Sequence, residues 1–240
     1  MYGGIRWNGQ LLPERRRSLI DSTELLQRIE TIEDGMDKLK NTVFAMKMTD
    51  IRKYPANYEE LSTDAALRAE RLACQLRNII FATDILPKPE YMDRAAKVQG
   101  IQFDTDGSIL TIRLPGLLPK RKVRTNIGYI NDPLYYSLKS YLAEHPVPVF
   151  VNCVVCFIQV YDRKLPLRRI RDYDNMEFKQ ILDTISPFVL KDDSGLYCDS
   201  YHTTELGNED YTSVNIMEKS VFPAWLRSMK EQISDLSEIS

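Results

Sequence analysis

The chain has 240 residues, of which 43% are hydrophobic and 28% charged, and its formal net charge is -2. That balance belongs to a globular protein with one large domain or two small ones and excludes a low-complexity chain; the charge sum is neutral about nucleic acid, whose binding depends on local patches. Four cysteines among few glycines and prolines, no basic and apolar leader, and no apolar run near the ~20 residues of a membrane span point away from a disulfide scaffold and from a membrane protein, so the cytoplasm is the expected location.

The first half reads as helical. Asp21 and Glu24 form a capping-box pair, and apolar residues recur at Leu25, Ile29, Ile32, Met36, Leu39, Val43 and Met46. Their alternating steps of four and three make a heptad seam. A second helix is expected from Ser62 or Thr63, with Ala65, Ala69, Leu72, Leu76 and Ile79 on its stripe. Between them IRKYPANYEEL carries a proline and an asparagine and reverses the chain into an antiparallel hairpin. The stripe suits packing within that hairpin better than a dimer-forming coiled coil, because three heptads are few.

A third, shorter helix spans Glu90 to Val98 and ends at Gly100. The period then changes to two. IQFDTDGSILTIRL alternates on both sides of Asp106-Gly107, a β-hairpin signal, and the loop LPGLLPKRKVRTN follows with Lys120, Arg121, Lys122 and Arg124. DPLYYSLKSYLAEH predicts a helix with Asp132 as N-cap and Pro133 at its first position. VPVFVNCVVCFIQVY reads as a buried strand, on which Cys153 and Cys156, three apart, point to opposite faces and cannot share a metal. DRKLPLRRIRD leads to a helix over 174–186, and SYHTTELGNEDYTSVNIMEK predicts a second hairpin turning near Gly207-Asn208. Trp225, beside Pro223, anchors the C-terminal segment on the core, and the last residues are polar. The fold class is α+β, with a helical N-terminal region over 1–99, a mixed α/β domain over 100–222 and a tail over 223–240.

The chemistry lies in RIRDYDNMEFKQILD, residues 169–183. In extended backbone Asp172 and Asp174 share a side, so both carboxylates can reach one ion. Mg²⁺ prefers hard oxygen ligands and takes one or two protein carboxylates, filling its shell with water and phosphate oxygens. Asn175, Lys179 and Asp183 follow at helical spacing, and Asp192-Asp193 closes a turn after an apolar run. Such carboxylates need cations. Upstream, Arg163, Lys164, Arg168, Arg169 and Arg171 would hold a polyanion against the metal. The same Asp-x-Asp occurs in solvated connections, where one aspartate simply caps a helix.

This segment resembles the RusA-like endodeoxyribonucleases, Holliday junction resolvases of phage and prophage origin. The likeness rests on RRIRDYDN, Lys179, Asp183 and Lys191-Asp192-Asp193, in the family's order. ILTIRLPGLLPKR looks like the family's opening strand and loop, NDPLYYSLKSYL like its helix, VPVFVNCVVCFIQV like the strand feeding the arginine loop, and YHTTELGNEDYTSVNIME like its closing hairpin. The resemblance covers residues 108–218 and implies a small mixed sheet with helices, active as a homodimer on four-way DNA junctions with Mg²⁺. It implies that Asp172, Asp174 and Asp193 bind metal, with Asp192 the alternative third ligand, that Lys179 is catalytic, and that Arg171 stands beside the pair. Mn²⁺ would substitute. Three departures are visible: Lys179 stands one residue farther from Asn175, the turn to Asp192-Asp193 is a little longer, and the opening loop lacks the family's P-P-S-x-N-like element. The helical first 99 residues have no counterpart there. The expected function is a Mg²⁺-dependent, structure-selective endodeoxyribonuclease, and the alternative is a non-cleaving DNA-binding adaptor acting through its helical region.

Overall fold

The computed structural model describes residues 21–83, 86–118 and 128–237, together with two short strands, β1 (Arg6–Trp7) and β2 (Gln10–Leu11), that pair antiparallel. The loop bases Lys120, Arg121, Lys122 and Arg124 lie outside the described residues. Two compact units part at Lys88/Pro89. The break falls at the first residue of the third helix and not after its end, because that helix buries Met92 and Ala96 and Ala96 joins the core of the second unit.

The first unit is a hairpin of α1 (Ser22–Met48) and α2 (Pro55–Thr83). Asp21 sits at the N-cap of α1, but its side chain makes no capping hydrogen bond. The chain turns on Asp50, whose carbonyl accepts from Lys53 and Tyr54. The second helix begins seven residues before Ser62, with Pro55 first, where a missing N–H costs nothing and φ is already helical. The heptad seam of α1 divides: Leu25, Ile32, Leu39 and Met46 are buried or half-buried, whereas Ile29, Met36 and Val43 are exposed. Gly35 lets the helices approach closely, since a Cβ there would lie 2.8 Å from Leu72 Cδ2. Farther along, Thr42 Oγ1 donates to Asp64 at 3.3 Å.

The second unit begins with α3 (Lys88–Gln99), which closes at Gly100 with φ 85, a conformation that favours glycine. Strands β3 (Gln102–Thr105) and β4 (Ile109–Pro115) form the expected hairpin, with Gln102 opposite Arg113 and Thr105 opposite Leu110. Gly107 takes φ 88 in the turn, and the Asp106 carboxylate accepts from Ser108 N, Ser108 Oγ and Ile109 N at 2.8–2.9 Å. Helix α4 (Gly128–Glu144) starts before Asp132 and carries Pro133 inside it instead of at its first position. Strand β5 (Cys153–Asp162), α5 (Lys179–Val189), β6 (Cys198–Gly207), β7 (Tyr211–Glu218) and α6 (Phe222–Ser237) complete the unit.

The sheet order is β3-β4-β7-β5-β6, with β5 and β6 parallel and every other pair antiparallel. The segment expected to be a second hairpin is therefore split: β6 and β7 are joined by a short connection at 208–210, yet β5 lies between them. The reason is in β5 itself. Its residues 153–161 are all buried, so both of its faces and both of its edges must be covered, and a central position satisfies that. Its parallel neighbour β6 is reached through α5, as a parallel crossover requires.

One face of the sheet carries Leu110, Ile112, Val155, Phe157, Val214 and Ile216 against Leu134, Leu138, Ile181 and Ile185 of α4 and α5. On the other face Cys156, Ile158 and Val160 pack with Tyr201, Tyr211, Trp225 and Met229, so α6 is a docked helix and not a tail. Cys153 and Cys156 belong to these two different clusters, as the strand period requires, and all four cysteines are free thiols. Cys153 faces Cys198 across the parallel pair, while burial pushes the Cys156 thiol up to about 12. No helix among the described residues is long and apolar enough to cross a membrane.

Candidate active site on the connection from β5 to α5

The chain leaves β5 at Asp162 and reaches α5 at Lys179 through a basic connection with 3-10 turns at Leu167–Arg169 and Tyr173–Asn175. Three of its bases fasten it down. The Arg163 guanidinium donates to the carbonyls of Gly207 and Leu206 at 3.2 and 3.1 Å, and Arg169 pairs with Asp210. Arg171 donates from its backbone to Tyr161 Oη at 3.1 Å and from its side chain to the Leu118 carbonyl at 3.2 Å. Lys164 and Arg168 are exposed instead and have no ion-pair partner among the described residues. Of the expected polyanion contacts in this stretch, these two are the best presented.

Asp172 stands in extended backbone with φ -67 and ψ 141, and Asp174 follows inside the 3-10 turn. Both are exposed. The helix starts at Lys179, five residues later than 174, because Met176 is drawn into the core and Phe178 packs against Phe157 at 4.9 Å between ring centroids. Lys179 and Asp183 share a helical face as expected, and Lys179 Nζ donates to both Asp183 oxygens at 2.9 Å. Asp192 and Asp193 are exposed beyond the other end of α5. Asp192 accepts from Ser194 Oγ and Ser194 N, and these bonds hold its carboxyl below the usual carboxylate range.

The expected convergence of Asp172, Asp174 and the Asp192-Asp193 pair is not formed. Among the described residues no group of three or more His, Cys, Asp or Glu side chains could hold a metal. The physical reason is α5: eleven residues of helix, about 16 Å long, stand between Asp174 at one end and Asp192 at the other.

What gathers beside Asp174 is a different set. Asp174, Lys179, Tyr173, Ser200 and His202 line a cavity of about 250 Å³. His202 lies between aromatic rings, with centroid distances of 4.2 Å to Phe178, 5.5 Å to Phe157 and 5.6 Å to Tyr173. Its Nε2 is 3.0 Å from Ser200 Oγ, while its buried Nδ1 has no partner among the described residues. Desolvation by burial holds the imidazole below its ordinary 6.5, so the ring is neutral near pH 7. Tyr173 Oη is 2.9 Å from Thr204 Oγ1, which ties the Asp-x-Asp turn to β6. Ser200 and His202 had a legible signal: on a strand, alternate residues of SYHTTELG share a face, and this one lies under the turn.

Such an arrangement presents an exposed carboxylate pair and cationic groups on a rigidly held connection at the edge of the sheet. No curated protein matches the chain. Residues 21–240 match a family described as a family of unknown function (DUF6100). The chain belongs to that family, DUF6100.

Proposed function

We propose that the unit from Pro89 to Ser240 is a RusA-like, Mg²⁺-dependent endodeoxyribonuclease selective for branched DNA, four-way junctions above all, and that it works as a homodimer. The observation that carries this reading is the order of its elements. A strand (β4), a helix (α4), a central strand (β5), an arginine-bearing connection, the D-Y-D-N turn, a helix with Lys179 and Asp183, and two further strands follow one another in the chain, an order that supports the reading although the last two strands do not pair as a hairpin. The donor set at the turn also suits a hydrated Mg²⁺, which asks for hard oxygens and takes only one or two protein carboxylates. Asp172 and Asp174 would hold it, with water and substrate oxygens completing the shell. When bound, such an ion lowers the pKa of a coordinated water and takes up charge on phosphoryl oxygens.

The chain's own groups do the rest. Lys164 and Arg168 grip backbone phosphates, while Arg163, Arg169 and Arg171, tied to Leu206, Gly207, Asp210, Tyr161 and Leu118, keep the connection stiff. Lys179 exchanges Asp183 for a phosphate oxygen and stabilises the charge that develops in the transition state. A second reading, a DNA-binding adaptor that does not cut and acts through the helical first unit, draws on the absence of a three-acid group among the described residues.

Mn²⁺ titration followed by electron paramagnetic resonance separates the two. The nuclease reading expects binding by the wild type and its loss in Asp172→Asn/Asp174→Asn; a wild type that leaves Mn²⁺ free favours the adaptor. Junction binding measured against salt tests the grip: Lys164→Ala/Arg168→Ala should flatten the slope of log K on log salt by about 1.8, since each phosphate contact contributes roughly 0.9.

A further inference from the structure

The hairpin of α1 and α2 has two unlike sides. One is polar: Thr31, Asp34, Lys38, Arg68, Arg71 and Gln75 line a shallow cavity there, beside Gly35 and Leu72 at the helix contact. On α1, Ile29, Met36 and Val43 each stand three residues before a residue packed on α2; on α2, Ala69 and Leu76 each stand four after Ala65 and Leu72, which face α1. In antiparallel right-handed helices those offsets turn toward the same side. That side is apolar and open: Ile29 is 38% exposed, Met36 56%, Val43 51% and Leu76 49%. The spacing of seven along α1 keeps the three residues in one straight line, as a seam between helices requires.

Charge says what covers it. From its start to Asp37, α1 carries Glu24, Glu30, Glu33, Asp34 and Asp37 against Arg28 alone; from Lys38 to its end it carries Lys38, Lys40 and Lys47 and no acid. A helix so divided repels a parallel copy of itself and attracts an antiparallel one. Glu33 and Lys40 flank the seam about equally far from Met36, and neither has an ion-pair partner among the described residues. Area agrees. A 27-residue helix is about 40 Å long, so a face two helices wide offers on the order of 800 Å², the share each partner gives to a stable interface.

We propose that the apolar side of this hairpin binds a second copy of the same chain, with the two α1 helices antiparallel about a two-fold axis near Met36, to form a four-helix bundle. The two-fold makes the patch self-complementary: Ile29 meets Val43 of the second copy, Met36 meets Met36, and Glu33 meets Lys40. This pairing rests on the hairpin alone and not on the function proposed for the second unit.

The test uses the full chain with Cys74, the exposed thiol, replaced by serine. One chain carries Ile29→Cys, a second and longer tagged chain carries Val43→Cys, and the two are mixed, equilibrated and gently oxidised. The 29–43 disulfide between unlike chains should exceed the 29–29 and 43–43 products. Met36→Glu should abolish it and lower the mass in light scattering, with the helical circular dichroism kept. Glu33→Lys should weaken the cross-link and Glu33→Lys/Lys40→Glu should restore it, which no foreign partner or neighbouring unit would produce. Predominant like-with-like disulfides, no cross-link at all, or a cross-link indifferent to Met36→Glu would overturn the proposal.

Discussion

Asp106 shows how much one side chain can fix. Its carboxylate gathers three donors from the two residues after the turn glycine, and those bonds hold its pKa below 3.8. Asp106→Ala should destabilise the unit by about 1 kcal/mol in denaturant titration, the usual net worth of such local capping bonds. The contribution is complete above the ordinary aspartate value of 3.8 and disappears as pH falls below it, through the lower folded-state value. His202 acts over a different range. Its folded pKa is lowered by burial, so the unfolded chain takes up the proton more readily, and stability falls as pH drops below 6.5. Glu205, whose carboxyl burial raises above 4.5, works in the opposite sense. Comparing the wild type with His202→Phe cancels that shared term. The variant should lose less stability between pH 7 and 5, and equal slopes would refute the role assigned to burial. The turn at Asp106 was legible because D-G between alternating apolar residues encodes it locally. The alternation that puts His202 on one face of β6 with Ser200 was legible too, but its surroundings were not, because its three aromatic neighbours come from β5, the Asp-x-Asp turn and the start of α5.

At the scale of elements, β5 organises the unit. Its unbroken burial was readable in VNCVVCFIQV, and so were the opposite faces of its two cysteines. Its place between β6 and β7 was not readable, because G-N at the end of one strand signals a tight turn without saying which strands pair. Helix starts failed for the same kind of reason. Local capping signals put α5 at Asp174, but the burial of Met176 and Phe178 moves its start to Lys179 and leaves the carboxylate pair in an exposed turn. Helix α5 itself holds to the core by Ile181, Ile185 and Val189, all fully buried. Ile181→Ala should therefore cost about 2–5 kcal/mol in chemical unfolding, through lost burial and the cavity left behind. A loss below 1 kcal/mol would mean that α5 is not part of the cooperative core.

Taken whole, the molecule joins a helical hairpin with a divided charge pattern to a mixed α+β unit whose basic, acidic connection is stiffly held at the sheet edge. The α+β class followed from the change of period near residue 100, and the run of charged residues over 163–183 is plain in the sequence. The distance between the two acidic pairs did not, because it depends on the direction in which α5 runs. The open side of the hairpin escaped as well: the heptad seam names apolar positions, and only the packing of Gly35 against Leu72 decides which half of them remains exposed. The most direct test of the nuclease reading is cleavage of an end-labelled synthetic four-way junction by the wild type and by Asp174→Asn, with and without Mg²⁺ and beside a linear duplex. Paired, symmetric nicks in the junction that require Mg²⁺ and vanish in Asp174→Asn are the predicted result. An intact junction bound by the wild type in the presence of Mg²⁺ would contradict it.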